Sequence, residues 1–245
     1  MKARILSLIA AAAVAATSVF AATGGSDNAA GYSGLANGDN GGSGFSAWST
    51  TGGGTSGSYI GDSAAQGFGD INTSGKAWGF WGNPSGGNYI NATRGFSGGA
   101  LSVGQTFSID LAIAWRNGNK GIDIIGNGGV SIFNFNVGSD QYQVNGSDQG
   151  WSYDQTSIIN ISITATGAGT YDATVTRGAQ SFSSSFANAG AGVTGFGLYV
   201  ADTDAGNDLN NLFANNAAVV PEPSTLVLGA FGLLGLAVAR RRLQK

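Results

Sequence analysis

The sequence predicts an all-β fold, an antiparallel β-sandwich of jelly-roll type. Apolar and polar residues alternate over many short stretches, as expected of strands that bury one face. Turn residues separate these stretches, and the chain has 43 glycines and 3 prolines in 245 residues. This composition indicates tight turns rather than long helices. Short antiparallel strands joined by turns close most naturally into two packed sheets.

The longest alternation runs from residue 106 to residue 115. Large apolar side chains occupy every second position: Phe107, Ile109, Leu111, Ile113 and Trp115. Ten residues of period two predict a half-buried strand, with Trp115 on its core side.

Shorter alternations recur through the rest of the chain. They are centred on Phe135, Ile161, Ala173, Ser184 and Leu198. Asn-Gly pairs and other glycine-containing turns separate them, which favours hairpins and gives about a dozen strands. A parallel β-helix is the alternative, but we find no repeat of about twenty residues in this sequence.

The N-terminus has the layout of a secretory signal peptide. Lys2 and Arg4 form a short positive region, residues 5–16 are apolar, and Ala21 ends a Val-Phe-Ala sequence that suits signal peptidase. We expect the secretion machinery to export the chain and residues 1–21, a signal helix, to be removed after Ala21.

The C-terminus, residues 220–245, joins three features in order. Pro221, Glu222 and Pro223 form an extended peptide, residues 226–239 are apolar, and residues 240–242 are all arginine. As a helix the apolar run would reach about 21 Å, short of the roughly 30 Å bilayer core. The arginines should stay cytoplasmic, so we expect a short transmembrane helix that is inserted transiently.

These three features resemble the PEP-CTERM sorting signal of Gram-negative bacteria. The resemblance implies that an exosortase, a membrane-embedded cysteine transpeptidase, reads Pro221, Glu222 and Pro223 and that the tail is removed. It also implies a final place at the cell surface or in the extracellular matrix, in association with exopolysaccharide. An ordinary membrane anchor is the alternative.

Removing both ends leaves about 198 residues. They carry five basic residues against thirteen aspartates, a net charge of −8. An acidic surface repels phosphate backbones, so we expect no nucleic-acid partner. We expect residues 22–42, rich in Gly, Ser and Asn, to be flexible, and residues 43–218 to form the sandwich.

The composition also limits catalysis. The chain has no cysteine and no histidine, and its one glutamate is Glu222 in the tail. This excludes disulfides, thiolate metal sites and Ser-His-Asp or Cys-His catalysis. A polysaccharide hydrolase or lyase would have to use aspartate, arginine or tyrosine. We therefore expect a non-enzymatic protein that requires no cofactor.

Two segments are similar to concanavalin A-like, or laminin-G-like, lectin sandwiches. They are residues 94–107 and residues 195–200, with their strand order and turn glycines. This weaker resemblance implies a carbohydrate-binding module.

Three aspartates follow the second of these segments. Asp202, Asp204 and Asp208 lie in one polar loop, and carboxylates at alternate positions can share a calcium ion. Gly206 is one place too early for an EF-hand and no glutamate closes the loop. The alternative is a solvated acidic turn in which the aspartates cap their own backbone.

Trp78 and Trp81 belong to the densest aromatic cluster of the sequence. Alternation places them on opposite faces of one strand, so one is expected in the core and the other at the surface, where it could stack on a sugar. Burial of both is the alternative. The polar segments 117–123 and 145–149 are candidate walls of a glycan groove.

Together these observations favour an exported, non-enzymatic surface or matrix protein processed by an exosortase and associated with exopolysaccharide. A lectin-like carbohydrate-binding module is the alternative, and a polysaccharide hydrolase or lyase comes third.

Overall fold

Fifteen β-strands and three short 3₁₀ helices make up the regular structure of residues 24–187 and 192–221, which the computed structural model describes. The strands, in chain order, are β1 (Gly25–Asp27), β2 (Ser49–Gly53), β3 (Ser56–Gly61), β4 (Ala77–Gly82), β5 (Tyr89–Gly95), β6 (Gln105–Ile113), β7 (Asn119–Gly126), β8 (Ser131–Gly138), β9 (Gln141–Val144), β10 (Ser147–Asp148), β11 (Ile158–Gly167), β12 (Thr170–Arg177), β13 (Gln180–Ala187), β14 (Val193–Ala201) and β15 (Leu212–Pro221). The 3₁₀ helices are Ala29–Gly31, Asn127–Gly129 and Asp208–Asn210.

The strands form two antiparallel sheets. The eight-stranded sheet has the order β13-β12-β11-β6-β15-β4-β3, with β1 also paired to β15. The seven-stranded sheet has the order β10-β9-β8-β7-β14-β5-β2. The inner faces pack on each other to form the core, so the predicted all-β antiparallel sandwich is confirmed.

Strand β6 shows how alternation becomes a core. Phe107, Ile109 and Leu111 are fully buried, and β6 pairs with β11 so that Ile109 lies opposite Ile161. Trp115 differs from the prediction, because β6 ends at Ile113. It is half-buried and packs against a smaller apolar cluster that includes Phe68 and Phe213.

The N-terminal segment is packed on the sandwich, although its composition predicts flexibility over residues 22–42. Strand β1 pairs with β15, and the side chains of Ala29, Tyr32 and Leu35 are buried. Asp27 forms an ion pair with Arg94 of β5 in which both side chains are inaccessible to solvent. The glycine and serine content therefore predicts flexibility wrongly for this segment, because a few buried side chains hold it in place.

The sandwich extends beyond the predicted boundary at residue 218, because β15 continues to Pro221. Residues 24–220 belong to one compact unit. The signal peptide with Ala21, Glu222, Pro223, the apolar run 226–239 and the arginines lie outside the described residues. In the part of the chain that is described, no helix is long and apolar enough to cross a membrane.

Candidate functional site

A cleft of about 330 Å³ opens at one end of the sandwich. The connections β6–β7, β8–β9 and β14–β15 meet there, because Asn119 at the start of β7 pairs with Gly138 of β8 and Ala201 of β14. The β10–β11 connection adds Tyr153. The cleft is lined by Trp115, Arg116, Asn117, Asp140, Tyr153 and Asp204. Its walls therefore combine two aromatic rings with charged and amide groups.

Arg116 provides the end cleft with a guanidinium group that has no hydrogen-bond or ion-pair partner among the described residues. Its guanidinium carbon lies 5.5 Å from the ring centre of Tyr142 and 5.3 Å from that of Tyr153. No acceptor among residues 24–187 and 192–221 hydrogen-bonds or ion-pairs with its guanidinium group. The two rings hold the side chain by cation–π contacts and leave its N–H donors available to a ligand.

Buried polar bonds fix the floor of the end cleft. Lys120 is buried, and its Nζ donates to the backbone oxygen and to Oδ1 of Asn117, both at 2.9 Å. Asn117 Nδ2 in turn donates to Asp204 Oδ2 at 2.8 Å and to Asn210 Oδ1 at 2.5 Å. Burial lowers the pKa of Lys120 to about 7, although the charge of Asp204 opposes this shift.

A second cleft, of about 530 Å³, adjoins the first at Tyr153. Arg177 lies at its base with its guanidinium carbon 4.0 Å from the ring centre of Tyr142 and 5.5 Å from that of Trp151. Arg177 Nη2 donates to the backbone oxygen of Ser152 and to Gln180 Oε1. The Tyr142 ring therefore contacts two arginines, Arg116 of the first cleft and Arg177 of the second.

The outer face of the seven-stranded sheet carries a tyrosine lying across a glycine. Tyr199 of β14 pairs with Gly121 of β7, and Gly121 pairs with Asn136 of β8. The Tyr199 hydroxyl nevertheless donates to Asn136 Oδ1 at 3.1 Å and accepts from Asn134 Nδ2 at 2.9 Å. To reach β8, the ring must cross Gly121, which has no side chain in the way. Burial raises the pKa of Tyr199, and the Asn134 hydrogen bond opposes this.

Amide side chains continue from Tyr199 towards the end cleft. Asn136 Nδ2 donates to Gln143 Oε1 at 3.0 Å, and Gln143 Nε2 donates to Gln141 Oε1 at 2.7 Å. We call Asn134, Asn136, Gln143 and Gln141 the amide row. Gln141 directly follows Asp140, a residue of the end cleft. Amide groups can donate and accept at once, so the row suits a ligand rich in hydroxyl groups.

The two predicted tryptophans have different environments. Trp78 is fully buried, with its ring centre 5.2 Å from that of Trp48, so it cannot stack on a sugar. Trp81 is half-buried and lines a separate cleft of about 280 Å³ with Tyr59 and Asp208. Sugar stacking by Trp81 stays a prediction.

The structure does not bring the three predicted calcium ligands together. Asp204 lies in the end cleft, whereas Asp208 lies in the cleft of Trp81. Asp202 Oδ1 accepts the backbone N–H groups of Gly86, Gly87 and Asn88 at 3.0, 2.7 and 3.2 Å. These bonds, led by that of Gly87, lower the pKa of Asp202.

Within residues 24–187 and 192–221 no group of three acidic, histidine or cysteine side chains could hold a metal ion. Asp202 caps the backbone of residues 86–88, whereas the alternative drawn from the sequence has the aspartates cap their own backbone.

Segment 117–123 provides Asn117 to the end cleft, as its polar composition suggests. Segment 145–149 is exposed and does not contribute to the lining of the cleft. Sequence reasoning missed Arg116, Asp140 and Tyr153, because they come from separate loops with no common motif. Among residues 24–187 and 192–221, no carboxylate oxygen lies within 4.0 Å of the Arg116 guanidinium nitrogens, and this is visible only in three dimensions.

Residues 219–242 match the family described as the PEP-CTERM protein-sorting motif. A motif of this kind implies export, recognition by an exosortase and anchoring in the membrane through the C-terminus. No curated protein matches the sequence.

Three solved structures are similar to parts of this chain. A sialidase aligns with 73% of this chain at 10% identity and a TM-score of 0.49, but only 17% of its own length is covered. An alginate lyase from Corynebacterium sp. aligns with 71% of this chain and 93% of its own, at 13% identity and a TM-score of 0.43. Winged bean acidic lectin, complexed with methyl-α-D-galactose, aligns with 80% of this chain and 97% of its own, at 9% identity and a TM-score of 0.38.

Proposed function

We propose that this exported exosortase substrate is a non-enzymatic surface or matrix protein that binds an uncharged exopolysaccharide through the end cleft. The observation that carries the proposal is Arg116, held between Tyr142 and Tyr153 with its donors unused at the mouth of an aromatic cleft. A sugar ring has an apolar C–H face for Tyr153 and Trp115 and hydroxyls for Arg116, Asn117 and Asp140.

The charge of the protein supports an uncharged ligand. Between the predicted cleavage points the chain has a net charge of −8, which repels a long polyanion. The end cleft itself holds the carboxylates of Asp140 and Asp204, which accept hydrogen bonds from hydroxyl groups. These groups favour hydroxyl-rich sugars over sugars that carry carboxylate or sulfate groups.

The amide row gives the ligand a second place of contact. It runs across the sheet from Tyr199 to Gln141, next to the end cleft. We infer that a polysaccharide chain lies along the row and places one sugar in the cleft. The site then binds several sugar units at once, which favours a polymer over a free monosaccharide.

The non-enzymatic assignment rests on the side chains that the chain provides. It has no histidine or cysteine, and its one glutamate belongs to the sorting motif. The end cleft offers Asp140 and Asp204, and Asp204 already accepts a hydrogen bond from Asn117. A hydrolase remains the competing function, since two aspartates line one cleft.

The test is binding to a panel of neutral and acidic polysaccharides, with the exopolysaccharide of the producing cell included, by affinity electrophoresis. Tyr153→Ala should weaken binding to the preferred neutral polymer by about tenfold, because Tyr153 provides one aromatic face. Its side chain is 47% exposed, so the variant should fold normally. Tyr89→Ala, which removes a tyrosine 40% exposed outside the cleft, is the matched control.

Binding that Tyr153→Ala and Tyr89→Ala leave equally strong would overturn the end cleft as the site. Release of reducing ends during incubation, lost in Asp140→Asn, would replace the binding function with a hydrolase. Preference for polyanions, weakened by added salt, would contradict the uncharged ligand.

A further inference from the structure

We propose that strand β13 is a self-complementary edge through which two copies of this protein pair into one continuous sheet. This inference is independent of the carbohydrate ligand. It rests on the position, composition and symmetry of Gln180–Ala187.

Strand β13 ends the eight-stranded sheet and lacks the usual protection of an edge strand. It pairs with β12 over eight residues without a bulge. Its sequence, Gln-Ser-Phe-Ser-Ser-Ser-Phe-Ala, contains no charge and no proline. Natural edge strands normally avoid pairing through lysine, proline, bulges or short length, and β13 has none of these features.

The other sheet edges of the described residues are short or covered. Strand β10 has two residues. Strands β2 and β3 lie against the N-terminal segment, since the N–H of Thr50 donates to Asn37 Oδ1 and Ser58 Oγ donates to the oxygen of Leu35. Strand β13 is therefore the long edge that is left open.

The β12–β13 turn decides which backbone groups of β13 are free. The two-residue loop starts with Gly178, whose φ of 57° suits the first position of a type II′ turn. Arg177 and Gln180 then form a hydrogen-bonded pair, and every second residue of β13 bonds to β12. Ser181, Ser183, Ser185 and Ala187 consequently direct their N–H and C=O groups away from the sheet.

Residues 182–186 of β13, Phe-Ser-Ser-Ser-Phe, read the same in both directions around Ser184. In an antiparallel pair of two copies, Ser184 can lie opposite Ser184 of the second copy. Phe182 of each copy then lies opposite Phe186 of the other, and Ser183 of each copy lies opposite Ser185 of the other. The free backbone groups meet in this register and can form roughly eight hydrogen bonds. The half-buried Phe182 and Phe186 gain an aromatic partner across the interface. A two-fold axis through Ser184 thus gives a closed dimer.

The lack of charge on β13 permits a second copy as the partner at this edge. The domain between the cleavage points has a net charge of −8, which opposes self-association over most of its surface. An uncharged strand of eight residues is a place where two such domains can approach without direct repulsion. The exposed Ser184 brings no charge to the centre of the pair.

Sedimentation velocity of the exported protein, from about 1 to about 100 μM, tests the inference. We expect reversible dimerisation in the wild type. Ser184→Lys and Ser184→Glu should each weaken the dimer by at least about tenfold, because identical charges would face each other. An equimolar mixture of the two variants should dimerise again, since lysine then faces glutamate.

Ser183→Pro provides a backbone test. It removes an N–H that faces solvent in the monomer, so the melting temperature should change little while the dimer is lost. A protein that stays monomeric to about 100 μM would overturn the inference. A dimer that all three variants leave intact, or one that the mixed-charge sample does not restore, would overturn it as well.

Discussion

The carboxylate of Asp27 and the guanidinium group of Arg94 form an ion pair inside the protein, with side-chain exposures of 1% and 0%. Tyr32 donates its hydroxyl to the same carboxylate at 2.5 Å, and Arg94 Nε donates to the oxygen of Ser46 at 2.7 Å. The arginine also lies 5.0 Å from the ring centre of Trp48. This pair ties the N-terminal segment to β5.

Replacement of Asp27 by alanine should destabilise the protein by about 3–5 kcal/mol, because it leaves the buried Arg94 charge without a partner. Chemical denaturation followed by tryptophan fluorescence measures this change. Asp148→Ala, at an exposed position, is the control and should cost no more than about 0.5 kcal/mol. Equal effects of the two variants would show that the pair does not hold the segment.

Lys120 should make stability depend on pH in a defined direction. Burial lowers the pKa of Lys120 in the folded protein to about 7, whereas the pKa of an unfolded lysine is about 10.4. Between these values the unfolded chain binds more protons, so the free energy of unfolding should rise with pH, by up to about 1.4 kcal/mol per pH unit. Below about pH 7 both states are protonated and the cost of burying the charge is present in full.

The measurement compares wild type with Lys120→Met in urea at several pH values. The difference cancels the contribution of the other titrating groups. We expect the free energy of unfolding of the variant to exceed that of the wild type most at pH 6. This excess should shrink towards pH 10. A difference that is constant over this range would contradict a depressed pKa.

Gln141 should matter only for long ligands. It ends the amide row beside the end cleft, so Gln141→Ala should weaken binding of a long oligosaccharide several-fold and leave a disaccharide unaffected. Isothermal titration with oligosaccharides of increasing length, from the preferred polysaccharide, tests this. Ser184→Ala, on the opposite sheet, is the control. Equal losses for short and long ligands would place Gln141 inside the cleft.

Pro221 and Pro223 should control processing. Replacing both by alanine allows helix to extend into the extended peptide that the sorting motif presents. We expect the double variant to keep its C-terminal residues 224–245, whereas the wild type loses them. Intact mass of protein recovered from the cell exterior measures this and also locates the cut after Ala21. Exterior wild-type protein that still carries its three arginines would refute exosortase processing.

The sequence by itself determined the fold class and the sorting motif. Period-two alternation in β6 fixes which side chains enter the core, because a one-residue shift would expose all of them. The sorting motif is equally local, since three features in a row suffice to identify it. Both results depend on neighbours in sequence, and so no structure is needed to see them.

Only the tertiary structure decided where the polar side chains go. Arg116, Asp140 and Tyr153 come from loops that are far apart in the chain, and strand pairing brings them to one end. The sequence suggests that Asp202 is a metal ligand, yet the backbone N–H groups of residues 86–88 donate hydrogen bonds to its carboxylate oxygen. Composition predicts that residues 22–42 are flexible, but the pairing of β1, several buried side chains and the Asp27–Arg94 ion pair hold residues 24–42 on the sandwich. Partners that are distant in sequence determine the role of a polar group. A buried polar or charged group needs a hydrogen-bond or ion-pair partner wherever the fold places it.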